Sequence, residues 1–307
     1  MRRRTSPPNV TALERGFDVL DCFAAAGRPL GNGDVSLATG IPRPTAYRLI
    51  STLVSLGQLR ACPDSDKYEL AAGVVRLAQS FLGAIDARRW AKPHLVGLAE
   101  TCGASAFLGM RDGRDVLVVE AARARSAVAF LGADVGTRMS LATSALGRAW
   151  LAGVGPLVGD AVIAEMRKMD GYHAGPRLES VLRKIRREGY AISLGEWHTG
   201  TNAAAVPVSA PSGEVFSINC GGPSFLLTTE KIHDLVVPHL RLAAAAFAAD
   251  IGGIAGQALT TSYATSPRLD QAESAPPASS TKRRRSNNKD KGDQPCTTAP
   301  VLTDEES

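Results

Sequence analysis

Two arginines and a row of hydroxyls share one face of a short segment that carries no carboxylate. Between Gly40 and Leu56 (GIPRPTAYRLISTLVSL), Ala46, Leu49, Ile50 and Leu53 recur at three- and four-residue spacing, which predicts a helix with one buried face. The opposite face carries Thr45, Arg48, Ser51, Thr52 and Ser55, with Arg43 at its start and Tyr47 on the flank. Guanidinium and hydroxyl groups without a neighbouring acid suit contact with phosphates and base edges, where a carboxylate would be repelled. Gly40-Ile41-Pro42 predicts the turn before this helix, and Gly57 supplies its stop. Pro44 fits the first helical turn, because its missing N–H would have no partner there. Alone, the pattern also fits an amphipathic helix with a solvated face.

The neighbouring segments decide between these readings. Thr11-Ala-Leu-Glu14 matches a capping box, and Leu13, Phe17, Leu20 and Ala24 continue an apolar stripe, so residues 12–25 read as a first helix. Gly27 to Gly31 breaks it, and a second, glycine-weakened helix is expected from Asn32 to Thr39. The segment from Gly40 is then the second helix of a helix-turn-helix, the one that enters a major groove. After Gly57, Gln58–Cys62 and Lys67–Leu70 flank the polar turn Pro63-Asp-Ser-Asp66, a hairpin signature that would form a wing. The expected nucleic-acid contacts are Arg43, Pro44, Thr45, Tyr47, Arg48 and Thr52 on the helix, with Arg60 and Lys67 in the wing.

With 307 residues, 44% of them hydrophobic, the chain has room for two domains, and its formal net charge of +5 is compatible with a polyanionic partner. Five scattered cysteines with no CxxC support neither a disulfide framework nor a zinc knuckle, and no metal or cofactor is expected. The N-terminus MRRRTSPPNV is a basic arm without the apolar core of a secretion signal. The most apolar stretch, Leu242–Ala249, is too short to span a bilayer, so a cytoplasmic protein with no membrane partner is expected.

Val74, Leu77, Ala78, Phe81, Leu82 and Ile85 form a narrow seam, suited to one partner helix, on a linker helix expected over 73–90 and ending before Pro93. From about residue 91 to 252 short strand-like runs alternate with helical stretches. Strands are expected at Ser105–Met110, Val116–Glu120, Ala204–Ser209 and Glu214–Asn219, and helices at Thr143–Ala152, Asp160–Met169, Leu178–Glu188 and Thr229–Ile251, the last bent at Pro238. Hairpins interspersed with helices argue for an α+β domain on an antiparallel sheet. Residues 253–307 are rich in Ser, Thr, Pro and charge and read as a disordered, solvated tail without function of its own; the alternative is that Lys282–Arg285 adds non-specific DNA affinity.

Taken together, residues 9–252 resemble the IclR-type family of bacterial transcriptional regulators. The likeness rests on "ALERGFDVLDCF" and "TGIPRPTAYRLISTLVSLGQLR", and further along on "VGTRMSLATSALGRAWLA", "IRREGYAISLGEWHTGTNAAAVPV" and "INCGGP". The resemblance implies a winged helix-turn-helix over 9–72, the linker helix, and a GAF-like effector-binding domain over 91–252. It also implies a homodimer or tetramer on a palindromic double-stranded DNA operator. By the same likeness, a small organic-acid effector would lie near Ala145 and Leu146, Ser193 and Ala203, and Asn219 and Gly221. Relatives that hold small keto acids tend to have an acid, a cysteine and two serines where this chain has Ser193, Ala203, Asn219 and Gly221, which points to a bulkier, aromatic or otherwise apolar acid.

The function expected is a ligand-responsive DNA-binding regulator of a local metabolic gene set, for organic-acid or aromatic catabolism. The alternative is a metabolite-binding enzyme with an accessory winged-helix domain. No GxSxG, Walker A, HExxH or post-strand GxGxxG occurs, and Glu196 with His198 is the one acid/base pair to imagine.

Overall fold

The computed structural model describes residues 9–125, 132–168 and 177–256. The arm at 1–8 and the chain from 257 on, including Lys282–Arg285, lie outside the described residues.

The first half is a winged helix-turn-helix. α1 (Thr11–Ala26), α2 (Asn32–Thr39) and α3 (Arg43–Ser55) pack around Val19, Phe23, Leu30, Val35, Ile41, Ala46 and Ile50. The α2–α3 turn is held by side chains: Ser36 Oγ donates to Ile41 O at 2.7 Å, and Ile41 N–H donates to Thr39 Oγ1 at 3.3 Å. The wing is β2 (Leu59–Ala61) against β3 (Lys67–Leu70), and β1 (Leu30–Gly31) joins its other edge, a strand the sequence did not announce. α1 departs from expectation in two ways. Thr11 is the first helical residue and not the cap, so Glu14 accepts from Asn9 Nδ2 at 2.6 Å and no capping box forms. The core-facing line also runs through Val19, Leu20 and Phe23, which leaves Leu13 and Phe17 exposed.

The expected single linker helix over 73–90 is two helices. α4 (Ala72–Gly83) stops at Gly83, and α5 (Asp86–Cys102) begins three residues later and runs through Pro93. Pro93 breaks one helical hydrogen bond on the exposed side, while Ala91, Leu95, Leu98, Ala99 and Cys102 bury the other side against the sheet. That burial outweighs the lost bond.

The second half is a curled seven-stranded sheet in the order β10-β8-β9-β4-β5-β6, with β7 also paired to β8. Its strands are β4 (Ser105–Asp112), β5 (Asp115–Arg123), β6 (Arg138–Ser140), β7 (Ala191–Leu194), β8 (Thr201–Ser209), β9 (Val215–Pro223) and β10 (Ile254–Ala255). β10 pairs with Val208 and Ser209, so the folded chain extends two residues and more past the expected boundary at 252. Alternation sorts the residues between two cores. Ala204, Val206, Val208, Phe216, Ile218 and Cys220 face α5 and α10 (Val237–Asp250). Ala203, Ala205 and Val215 face α6 (Ala145–Gly153), α7 (Gly155–Met166) and α8 (Arg177–Glu188).

Ahead of α10, a short helix, α9 (Thr229–Lys231), and one wide turn over Ile232–Val236 lead into Pro238, so the extra residue per turn absorbs the proline. The combined run Thr229–Asp250 is long and apolar enough to cross a membrane. Here Ile232, Val236, Leu240, Ala244 and Phe247 bury it against the sheet as a core helix.

Two glycines give opposite expectations. A Cβ on Gly73 would lie 2.3 Å from Gly57 O, whereas one on Gly97 within α5 would meet nothing within 4 Å. Gly73→Ala should therefore cost about 1–3 kcal/mol by overpacking, and Gly97→Ala should stabilise by up to about 1 kcal/mol. Denaturant midpoints of the two variants check this contrast.

Candidate nucleic-acid interface and ligand cavity

α3 buries Ala46, Ile50 and Leu53 and half-buries Leu49, as its spacing demanded. Arg43, Pro44, Tyr47, Arg48, Ser51 and Thr52 are exposed, and Thr45 is half-buried in the first turn. The Thr52 hydroxyl donates to Arg48 O at 2.9 Å, so it meets a ligand as an acceptor. Lys67 opens β3 and is exposed. Arg60 is also exposed, but its guanidinium lies 2.8 Å from Glu69 across the β2–β3 ladder. A surface pair of this kind contributes only about 0–1 kcal/mol. Arg60 is therefore a weaker candidate than Lys67 for a phosphate contact.

In the second half the turn Ser140–Ser144 sets the start of α6. Ser140 Oγ accepts from the N–H groups of Ala142 and Thr143, and Ser144 Oγ caps α6 by accepting from Gly147 N–H at 2.9 Å. Gly147 is required because a Cβ would lie 2.4 Å from both Leu141 Cα and Ser140 O. Across from this turn, Ser193 on β7 donates to Thr143 O at 2.9 Å.

Between them lies a small cavity lined by Met139, Ala145, Ser193, Trp197, Thr201, Ala203 and Asn219. Four of the six sequence-derived residues meet there: Ala145, Ser193, Ala203 and Asn219. Leu146 does not, since its side chain packs on Gly109 in the core, and Gly221, although paired with Ala203, is not in the lining. Met139, Trp197 and Thr201 were missed; they come from a short edge strand, a loop and a strand start, where no periodicity points inward. Free space amounts to about 10 Å³, room for one water. Asn219 is 3% exposed and its Oδ1 has no partner, so a buried acceptor faces an apolar-lined space.

Arg148, buried at the end of the first turn of α6, ties together the segments that flank the cavity. Its Nε donates to Ala142 O at 2.8 Å, and Nη1 to Ile192 O at 3.3 Å. Nη1 and Nη2 also donate to the two oxygens of Glu196 at 2.6 and 3.1 Å. Glu196 is thus committed to a structural clamp. His198 Nδ1 lies 3.0 Å from Thr199 O, beside its own backbone.

The family model for the IclR helix-turn-helix domain matches residues 12–62, and that for the C-terminal domain of the bacterial transcriptional regulator IclR matches residues 79–249. The chain belongs to the IclR family of bacterial transcriptional regulators. Among this family's members it is 34% identical over 222 residues to the HTH-type transcriptional regulator TsaQ1/TsaQ2 of Comamonas testosteroni, covering 70% of this chain and 79% of that one. An IclR family transcriptional regulator from Brucella abortus superposes with a TM-score of 0.68 at 31% identity, over 82% of this chain and 97% of that one. An IclR homolog from Microbacterium hydrocarbonoxydans, complexed with 4-hydroxybenzoate, shares the fold with a TM-score of 0.64 at 24% identity, over 78% and 99% of the two chains. The IclR-type winged helix-turn-helix and GAF-like domain expected from the sequence are both present.

Removing the clamp should loosen the cavity wall. Glu196→Ala leaves a buried guanidinium without its carboxylate and should cost about 1–3 kcal/mol, whereas Glu196→Gln keeps one acceptor and should cost less. Urea unfolding followed by tryptophan fluorescence reads the difference.

Proposed function

We propose that this IclR-family regulator is ligand-responsive, binds a palindromic operator as a homodimer or tetramer in the cytoplasm, and takes an organic acid of aromatic or similarly bulky type. The observation that carries the effector reading is the unpartnered, buried Asn219 Oδ1 in a cavity at the capped start of α6. A helix start favours a carboxylate, through its N–H groups and dipole, and Asn219 Oδ1, an acceptor, would take a hydrogen bond from a hydroxyl or N–H on the body of the acid. Met139, Ala145, Trp197 and Ala203 offer apolar surface to the body of the acid, at about 25 cal/mol per Å² buried. With room for only one water, the cavity admits such an acid by moving Trp197 and the loop that carries it. The Microbacterium hydrocarbonoxydans homolog holds 4-hydroxybenzoate, an acid of this class.

Assembly is supported by exposed apolar residues on two helices: Val10, Leu13 and Phe17 at α1, and Val75, Leu77 and Phe81 on α4. A second copy would cover them and bring two recognition helices to two half-sites. With Glu196 held by Arg148, binding and not catalysis accounts for the residues at the cavity.

Arg48→Ala should weaken operator binding by about 1–3 kcal/mol per half-site and blur preference at one base position. Lys67→Ala should weaken binding to every sequence and reduce the salt slope by about one unit. Wild-type affinity in both variants, measured at physiological salt on the DNA flanking the gene, would remove α3 and the wing from the interface. For the effector, a melting screen with aromatic and aliphatic carboxylates should find an acid that stabilises the protein by about 2.7 kcal/mol at a hundred times its Kd. Asn219→Ala should diminish that effect. A response to pyruvate or glyoxylate alone would contradict the bulky-acid reading.

A further inference from the structure

One helix joins the DNA-binding half to the effector half, and its two ends are held by different means. At its start, Gly73 N–H donates to Gly57 O at 3.0 Å and Ala71 N–H donates to Gln58 O at 2.8 Å, seating α4 against the stop of the recognition helix. At its end Ala84 still has right-handed helical backbone, and the chain leaves helical geometry at Ile85 (φ −92°, ψ 87°) before α5 begins. Such a break would act as a hinge if nothing spanned it.

Arg88 spans it. From the first turn of α5 its Nη1 donates to the carbonyl of Leu82, in the last turn of α4, at 3.0 Å. Its Nε donates to Val119 O at 2.5 Å and its Nη2 to Glu120 Oε2 at 2.9 Å, both on β5. Glu120 is 7% exposed, with Lys92 Nζ 3.8 Å from its other oxygen. Glu120 sits opposite Leu108 on β4, and Leu108 opposite Ile218 on β9, the neighbour of Asn219. One planar guanidinium therefore reaches the linker helix and the sheet that floors the ligand cavity. A lysine at this position has one nitrogen and cannot serve all three acceptors.

We propose that Arg88 is the positioning residue that couples the two halves. It fixes the end of α4 to β5, so that a displacement of the sheet by an effector, or of α4 by DNA, is passed across the break at Ile85. This rests on the ligand-responsive reading above and adds the route by which the response travels.

The test needs no effector, because coupling is reciprocal and DNA can supply the signal. The chain's three tryptophans, Trp90, Trp150 and Trp197, all lie outside the winged helix-turn-helix, so tryptophan fluorescence reports melting of the effector half alone. Full-length protein is melted with and without a duplex from the DNA flanking its gene, and binding of that duplex is measured separately by anisotropy. In the wild type, duplex at a hundred times its Kd should raise the tryptophan-reported midpoint by about 5–10 °C. Arg88→Ala and Arg88→Lys should still bind the duplex but lose this rise, and Glu120→Gln, which keeps the volume and one acceptor, should lose part of it. A residue that only stabilises the fold would lower the midpoint of the free protein and leave the DNA-induced rise intact, and that result overturns the proposal. If the arginine variants do not fold, a full wild-type rise in Glu120→Gln overturns it equally. A wild type that binds the duplex with no rise also overturns it, while leaving the DNA-binding reading standing. Failure of the wild type to bind any flanking duplex would instead strike at the reading on which the proposal rests.

Discussion

A buried guanidinium has to find acceptors, and Arg148 finds them on three separate segments beside the candidate cavity. It ties the turn before α6, the backbone of β7 and the loop at Glu196 into one frame. Without that frame β7 would be held by its ladder with β8 and the Ser193–Thr143 bond, and the segments that carry Ser193 and Trp197 would lose one of their ties. Gly147 and the small residues of β8 are the complement of the same constraint. They let α6 approach the turn and the sheet so closely that Ala203 and Asn219 face its first turn. Beside this engaged Arg148–Glu196 pair, the cavity holds a buried acceptor, Asn219 Oδ1, that has no partner.

The DNA-binding half obeys a simpler rule. Its core needs only one face of α3, and the free face is then left to Arg43, Tyr47, Arg48 and the hydroxyl residues. Apolar periodicity fixes where α3 sits, and the candidate contact residues lie on the face left over.

That split between faces also explains what could be read from the sequence. The α3 surface was legible because a helix period sorts residues by face without knowledge of what they pack against, and Ala46, Ile50 and Leu53 are buried as their spacing required. α1 was read with the right limits but a displaced face, because Leu13 and Phe17 are apolar without being core. α5 was missed as a helix through Pro93, since its compensation comes from tertiary burial that local sequence does not encode. For the cavity, resemblance located Ala145, Ser193, Ala203 and Asn219, whereas Leu146 turned out to be core. Met139, Trp197 and Thr201 carry no signal of their own and meet only when the sheet curls. Arg148 and Arg88 were passed over because an arginine in an amphipathic helix is usually solvated, and only the fold shows which ones are surrounded by carbonyls.

In the proposed function, occupancy of the Asn219 cavity alters the grip of α3 on DNA. The most direct measurement is a titration of operator-bound protein with aromatic carboxylates, following anisotropy of the labelled operator and tryptophan fluorescence in one cuvette. Trp197 lines the cavity, so the fluorescence reports entry of the acid and the anisotropy reports the DNA. Both signals should change together, with the same midpoint in acid concentration, and both changes should weaken in Asn219→Ala. An acid that saturates the tryptophan signal while operator affinity stays constant would contradict the proposed function.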